Sequence, residues 1–95
     1  MINAKQKGAR RERQCRKTME EAGWWVMKAG GSLGLFDIVA LGPMSILLIQ
    51  VKSNRPPGKK EMQALEEFRA PAYAVKQVWI YKDGGKVEIR TLENG

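Results

Sequence analysis

Length, composition and charge already narrow the class of protein. The chain has 95 residues, which is room for one small domain, and its 43% hydrophobic and 28% charged residues are typical of a folded globular protein. Its 17 lysines and arginines against 10 acidic residues give a net charge of +7, and an excess this large on a small body predicts a polyanionic partner, most simply a nucleic acid.

The residue types that are missing exclude several kinds of chemistry. There is no histidine, which removes imidazole bases, histidine-dependent nucleases and hydrolases, and nearly every zinc site. The single cysteine, Cys15, allows no internal disulfide, which fits a reducing compartment. No apolar run approaches the ~20 residues that span a bilayer, and no secretory signal is visible. We therefore expect a cytoplasmic protein without membrane association.

The first predicted element is a helix over residues 7–22, which Gly23 ends. Its least polar stripe has helical spacing and is expected to pack inward. The members of this stripe are Gly8, Glu12, Cys15, Met19 and Ala22. Glu12 is therefore an acidic residue on a face that should be buried.

The remaining predicted elements are strands, a second helix and a final hairpin. Two of the strands are apolar on both faces apart from a few polar residues, which is typical of central strands covered on both sides. The predicted strands are residues 24–28, 35–41, 45–53, 77–82 and 86–91, and the second helix is residues 59–70 with Met62, Leu65 and Phe68 on one stripe. The order α-β-β-β-α-β-β predicts a single α/β domain over residues 1–95, with a central mixed sheet flanked by helices.

Net positive charge is confined to two segments, because the basic residues after position 60 are balanced by acidic ones. Residues 1–28 carry eight basic against three acidic residues, residues 52–60 carry four basic residues and no acid, and Asp37 is the one charged residue between these segments. Two basic segments around an uncharged middle favour a phosphate-binding rim, although simple solvation is the alternative reading for Lys59 and Lys60. The residues assigned to DNA contact are Lys7, Arg10, Arg11, Arg13, Lys28, Arg55, Lys59 and Lys60.

Polar residues interrupt the apolar strands at three positions. Asp37 lies in one predicted strand, and Gln50 and Lys52, two residues apart, project from the same face of the next. Burying an unpaired carboxylate or ammonium costs several kcal/mol, so such groups are paired or hold a metal. With the inward-facing Glu12 and the carbonyl of Val51, they offer oxygen ligands for a hard cation, Mg²⁺ or Mn²⁺. A buried Asp37–Lys52 ion pair is the alternative, but it explains neither Gln50 nor Glu12.

Hydrolysis of a phosphodiester is the chemistry that such a site would serve. A metal held by Asp37 and Gln50 lowers the pKa of a bound water and neutralises charge on the scissile phosphate. Lys52 then orients or deprotonates the attacking water, or stabilises the charge that develops on the phosphate. Glu12 reaches in from the helix toward the same metal or a second one.

Taken together, these segments resemble the PD-(D/E)XK nucleases and, within that superfamily, the archaeal-type Holliday junction resolvases. The likeness runs from Lys7 to Phe68 and follows the order of the family's motifs. The matching segments are KGARRER with Glu12, Gly23-Trp24, the GGS turn, DIVA from Asp37, IQVKS ending at Ser53, and GKKEMQALEEF from Gly58.

The resemblance implies a small restriction-endonuclease-like fold and a DNA endonuclease that depends on Mg²⁺ or Mn²⁺. The family's metal-binding aspartate falls on Asp37, and the acid of its (D/E)xK motif falls on Gln50. Its lysine falls on Lys52 and its helix glutamate on Glu12. The serine of its turn falls on Ser32, for which an ordinary turn residue is the alternative reading.

Two positions depart from the family pattern. Gln50 stands where these resolvases usually have glutamate, although the related Mrr-like nucleases resemble this chain in using glutamine. One negative charge fewer should weaken metal binding. Lys28 stands where a strand-end arginine is usual, which keeps the charge but loses the planar fork of a guanidinium.

Three functions are consistent with this reading. The first is a nuclease that resolves branched, four-way junction DNA, which the resemblance implies would work as a homodimer that cuts two opposed strands. The second is a VRR-type or Mrr-like nuclease that acts on flaps, ends or duplex DNA. The third is a DNA-binding module with a weakened catalytic site, which Gln50 and the high positive charge favour.

Overall fold

The computed structural model describes the backbone of residues 4–29 and 35–93, and their side chains from residue 8 onward. The predicted element order is confirmed. The elements are helix α1 (Ala4–Glu21), strands β1 (Trp25–Lys28), β2 (Ile38–Leu41) and β3 (Ile46–Ser53), helix α2 (Lys59–Glu67), and strands β4 (Ala74–Tyr81) and β5 (Val87–Leu92).

The strands form a mixed sheet in which sequence neighbours are also neighbours in space. The order is β1-β2-β3-β4-β5. Strands β3 and β4 pair in parallel, whereas the other neighbours pair antiparallel. The parallel pair needs a crossover, which α2 provides, and the antiparallel pairs need only turns. The predicted α/β class with a central mixed sheet is therefore confirmed.

Helix α1 covers one face of the sheet. It contributes Cys15 and Met19, which are buried, to a core with side chains from β1 to β4. The inward stripe differs from the prediction, because Arg11 is buried while Ala22 is exposed. Cys15 and Met19 belong to both stripes, so the helix is turned by only a small angle, well under one residue, from the predicted orientation.

Helix α2 covers part of the opposite face. Leu65 is fully buried against Val78 and Ile80, with Met62 and Phe68 packed at the edge, as the predicted stripe requires. The helix ends at Glu67, three residues before the predicted end. Phe68 is already extended, and the fully buried Lys76 of β4 donates hydrogen bonds to the carbonyls of Leu65, Glu66 and Phe68 at 2.7–2.9 Å. An ammonium at this position stabilises the carbonyl end of the helix.

Turns set where the elements end. Gly23 adopts φ +96°, a conformation that closes α1 and that other residues rarely adopt. Gly84 and Gly85 also have positive φ in the predicted hairpin between β4 and β5. Strand β2 begins at Ile38, so Asp37 lies just before the strand instead of within it.

Neither helix in the described ranges is long and apolar enough to cross a membrane.

Candidate active site

The candidate site lies where β2 begins and β3 approaches its end. Asp37 is held against β3 by two hydrogen bonds. Its backbone N–H donates to the Ile49 carbonyl at 2.8 Å, and its Oδ2 accepts from the Val51 N–H at 2.8 Å. These bonds fix the carboxylate beside the Gln50–Lys52 segment, as the sequence predicts.

The neighbouring backbone and amide oxygens suit a cation. In a strand, the N–H and C=O of one residue point toward the same neighbour, so the Val51 carbonyl lies on the side of β3 that faces Asp37. Gln50 is 6% exposed, and its Oε1 finds no hydrogen-bond partner among the described residues. A buried acceptor without a donor is costly, and a bound cation would satisfy it.

Burial leaves the ionised forms of two carboxylates at this site with too little stabilisation. Burial raises the pKa of Glu12 above its usual range, and the charge of Asp37 raises it further, while Lys28 opposes the shift. Burial also raises the pKa of Asp37, against the lowering effect of the Val51 N–H and of Lys52. A divalent cation beside both carboxylates would relieve this imbalance.

Lys52 is paired, but not with Asp37. Its Nζ lies 2.7 Å from Oε1 of Glu61, in the first turn of α2. The buried Asp37–Lys52 ion pair considered as the alternative is therefore not the arrangement observed. Lys52 still lowers the pKa of Asp37, so the ammonium lies within electrostatic reach of that carboxylate.

The predicted site residues approach from both faces of the sheet. Glu12 comes from α1, while Gln50 and Lys52 project toward the α2 side, opposite the face on which Ile49 and Val51 pack. Asp37, at the strand end, lies between these two sets and interacts electrostatically with Glu12 and with Lys52. Ser32 lies outside the described residues.

The donor set is compatible with magnesium. Within residues 4–29 and 35–93, no group of three or more histidine, cysteine, aspartate and glutamate side chains is placed to hold a metal. The site instead combines two carboxylates with neutral oxygens. Mg²⁺ usually keeps several waters and binds through one or two carboxylates plus substrate phosphate, so a set of this kind fits it.

A small basic pocket adjoins Glu12. Its volume is about 220 Å³, and Arg13, Arg16 and Lys28 line it together with Glu12. Arg13 and Lys28 are among the predicted DNA contacts, whereas Arg16, which lines the same pocket, is not. The signal for Arg16 was its position four residues after Glu12, which places both on one face of the helix. Four other predicted DNA contacts are exposed: Arg10, Arg55, Lys59 and Lys60. The side chain of Lys7 is not among the described residues.

The structure corrects the expectation for Arg11. This residue is 6% exposed, its guanidinium lies 5.6 Å from the centre of the Tyr81 ring, and it pairs with Asp83 at 3.4 Å. A phosphate contact needs an accessible guanidinium, and this one joins α1 to the β4–β5 hairpin instead. Helical periodicity alone could not have shown this, because Tyr81 and Asp83 are about 70 residues away in the chain.

The fold and the site together define a class of protein. An aspartate before one strand, a Q-x-K segment on the next strand and a glutamate on the first helix are the arrangement of the PD-(D/E)XK nucleases. The family described as archaeal Holliday junction resolvase (Hjc) matches residues 3–80. The chain belongs to this family.

A solved structure supports the fold. The chain is similar to Hjc of the archaeal hyperthermophile Archaeoglobus fulgidus, a Holliday junction resolvase, with a TM-score of 0.73 and 24% sequence identity. The match covers 90% of this chain and 72% of that one. No curated protein matches the sequence.

Proposed function

We propose that the protein is a metal-dependent, structure-selective DNA endonuclease that resolves four-way junctions. The observation that carries the proposal is the Asp37 carboxylate, fixed by the N–H of Val51, next in the chain to Gln50, whose buried Oε1 has no hydrogen-bond partner among the described residues. In a chain of the Hjc family, this pairing of a fixed carboxylate with a free buried acceptor is best explained by a catalytic cation.

Each residue of the site has a role in this reaction. Asp37, Glu12, the amide oxygen of Gln50 and the Val51 carbonyl would hold Mg²⁺ or Mn²⁺. When bound, the ion acidifies a water and neutralises charge on the scissile phosphate. Lys52 orients the attacking water and offsets negative charge as the phosphate becomes five-coordinate. Ser32 stays a predicted member of the site.

The basic rim positions the DNA. Arg13, Arg16 and Lys28 form a pocket next to Glu12 that suits a backbone phosphate adjacent to the one cut. Phosphate contacts set register without reading sequence, as selection of a DNA shape requires. Arg10, Arg55, Lys59 and Lys60 extend the rim.

We further propose that the protein acts as a homodimer in the cytoplasm. Resolution of a four-way junction requires cuts in two opposed strands, and each chain has one candidate site. The sheet face not covered by α1 leaves Trp25 76% exposed and Met27 49% exposed. An apolar surface of this kind supports self-association.

The proposal is tested by incubating labelled four-way junction, flap and linear duplex DNA with Mg²⁺ or Mn²⁺. The wild-type protein should convert the junction into symmetric nicked duplexes. Asp37→Asn should abolish cleavage and leave binding unchanged or slightly tighter, because it removes negative charge near the phosphates. Full cleavage by Asp37→Asn would overturn the site assignment.

The same assay separates the other two functions. A preference for flaps or ends would identify a VRR-type or Mrr-like nuclease. Junction binding with a steep salt dependence, but without cleavage at any pH, would identify a DNA-binding module with a weakened catalytic site. The neutral Gln50 is the reason for considering this function.

A further inference from the structure

Glu61 contacts the site from α2, and the resemblance assigned it no role. Its carboxylate forms an ion pair with Lys52 at 2.7 Å, and the two side chains are only 34% and 29% exposed. Glu61 also raises the pKa of Asp37, so its charge reaches the aspartate as well. It therefore belongs to the electrostatic environment of the site.

The charge distribution makes Lys52 a competitor of the divalent cation for the carboxylate of Asp37. A half-buried ammonium needs a counter-ion, and the polar residue two positions before it, Gln50, is neutral. The carboxylates that influence each other around Lys52 are Asp37 and Glu61. One oxygen of Asp37 already accepts the Val51 N–H, so an ammonium drawn to the other oxygen would occupy the position that a cation needs.

We propose that Glu61 is a positioning residue that holds Lys52 on the α2 side and thereby leaves the second oxygen of Asp37 open to the divalent cation. This inference rests on the proposed function. In this arrangement Glu61 supplies the negative charge that the neutral Gln50 lacks, so Lys52 is stabilised from α2 instead of from β3.

A structural role for Glu61 makes a different prediction. As an acidic residue in the first turn of α2, it also interacts favourably with the amino end of the helix. Loss of that interaction would loosen α2 whether or not Lys52 is present. Loss of positioning would matter only while Lys52 is there to compete for Asp37.

The test is direct Mn²⁺ binding to the DNA-free protein, measured by electron paramagnetic resonance of free Mn²⁺. Glu61→Gln should weaken binding about 10-fold, a loss typical of residues that orient metal ligands. Glu61→Asp should restore most of the affinity. In a Lys52→Ala background, Glu61→Gln should change affinity by no more than about twofold. Glu67→Gln, which removes a charge from the exposed end of α2, is the matched control and should match wild type.

Three results would overturn the inference. Mn²⁺ affinity of Glu61→Gln within about twofold of wild type would show that Glu61 does not control access to Asp37. An equally large loss in the Lys52→Ala background would show that Glu61 acts through α2 alone. If the wild-type protein neither binds Mn²⁺ nor cleaves DNA, the proposed function fails and the inference fails with it. If the wild-type protein binds Mn²⁺ and Glu61→Gln binds it equally well, only the inference is refuted.

Discussion

Residue 50 is a neutral amide among ionisable side chains. Gln50 is buried, and its Oε1 has no partner in the described ranges, so it contributes an oxygen without a charge. Carboxylates bind hard cations more strongly than amides because the attraction is electrostatic. In the proposed site, Gln50 would therefore bind a metal less tightly than a carboxylate at the same position.

A negative charge at position 50 should strengthen metal binding. Gln50→Glu is expected to increase Mn²⁺ affinity about 10-fold, measured by isothermal titration calorimetry, while junction cleavage persists. Gln63→Glu adds the same charge at an exposed position of α2 and should leave affinity unchanged. Equal affinities for Gln50→Glu and wild type would mean that residue 50 is not a ligand.

Arg16 lines the pocket beside Glu12, although it was not among the predicted DNA contacts. If this pocket holds a phosphate, Arg16→Ala should weaken junction binding and lower the slope of log K against log salt by about one. The measurement is fluorescence anisotropy over a salt series. Arg69→Ala, at an exposed position beyond α2, is the control, and an unchanged slope for Arg16→Ala would contradict the phosphate assignment.

At the scale of elements, Lys76 attaches α2 to the sheet. Its ammonium satisfies three carbonyls at the end of the helix while fully buried. Lys76→Met keeps the length of the side chain but leaves these carbonyls without a donor. We expect a loss of about 3 kcal/mol in the free energy of unfolding, measured by urea titration. Lys86→Met, on the exposed hairpin, should change it little, and equal stability of both variants would contradict the role given to Lys76.

The β1 edge of the sheet carries the surface proposed for self-association. Trp24 and Trp25 point to opposite faces, and only Trp24 packs against the core. Trp25→Glu should therefore shift the proposed dimer toward monomer, measured by sedimentation equilibrium, because a charge would be buried in the contact. Ile89→Glu, on the opposite edge strand, is the control. A dimer unaffected by Trp25→Glu would place the contact elsewhere.

For the molecule as a whole, two titratable groups in the hydrophobic core make the free energy of unfolding depend on pH. Burial raises the pKa of the Cys15 thiol from 9.0 to about 12, and that of the Tyr81 hydroxyl from 10.0 to about 12. The folded state therefore keeps protons that the unfolded chain releases in this range. Both groups contribute stability below pH 9, and that stability is lost as pH rises toward 12.

This dependence is measurable by urea unfolding between pH 8 and pH 11. Each group contributes a slope of at most ~1.4 kcal/mol per pH unit. Cys15→Ala should lose stability less steeply than wild type above pH 9, although it is less stable at pH 8 because a small cavity remains. Parallel curves for the two proteins would show that Cys15 does not titrate in this way.

The order of the elements and the polar residues of the candidate site could be predicted without the structure. Apolar periodicity predicted the elements, and Gly23 predicted the end of the first helix, because these signals are local. The polar interruptions at Asp37, Gln50 and Lys52 were visible for a similar reason, since a polar group in an apolar run stands out without knowledge of its partners.

Which side chains contact one another could be seen only in the folded molecule. The burial of Arg11 against Tyr81, the pairing of Lys52 with Glu61 and the three carbonyls bound by Lys76 each join two different elements of the fold. Periodicity tells which face of an element is apolar, but a partner across the fold depends on strand order, on register and on how each helix is rotated over the sheet. Those quantities arise only when the elements pack together.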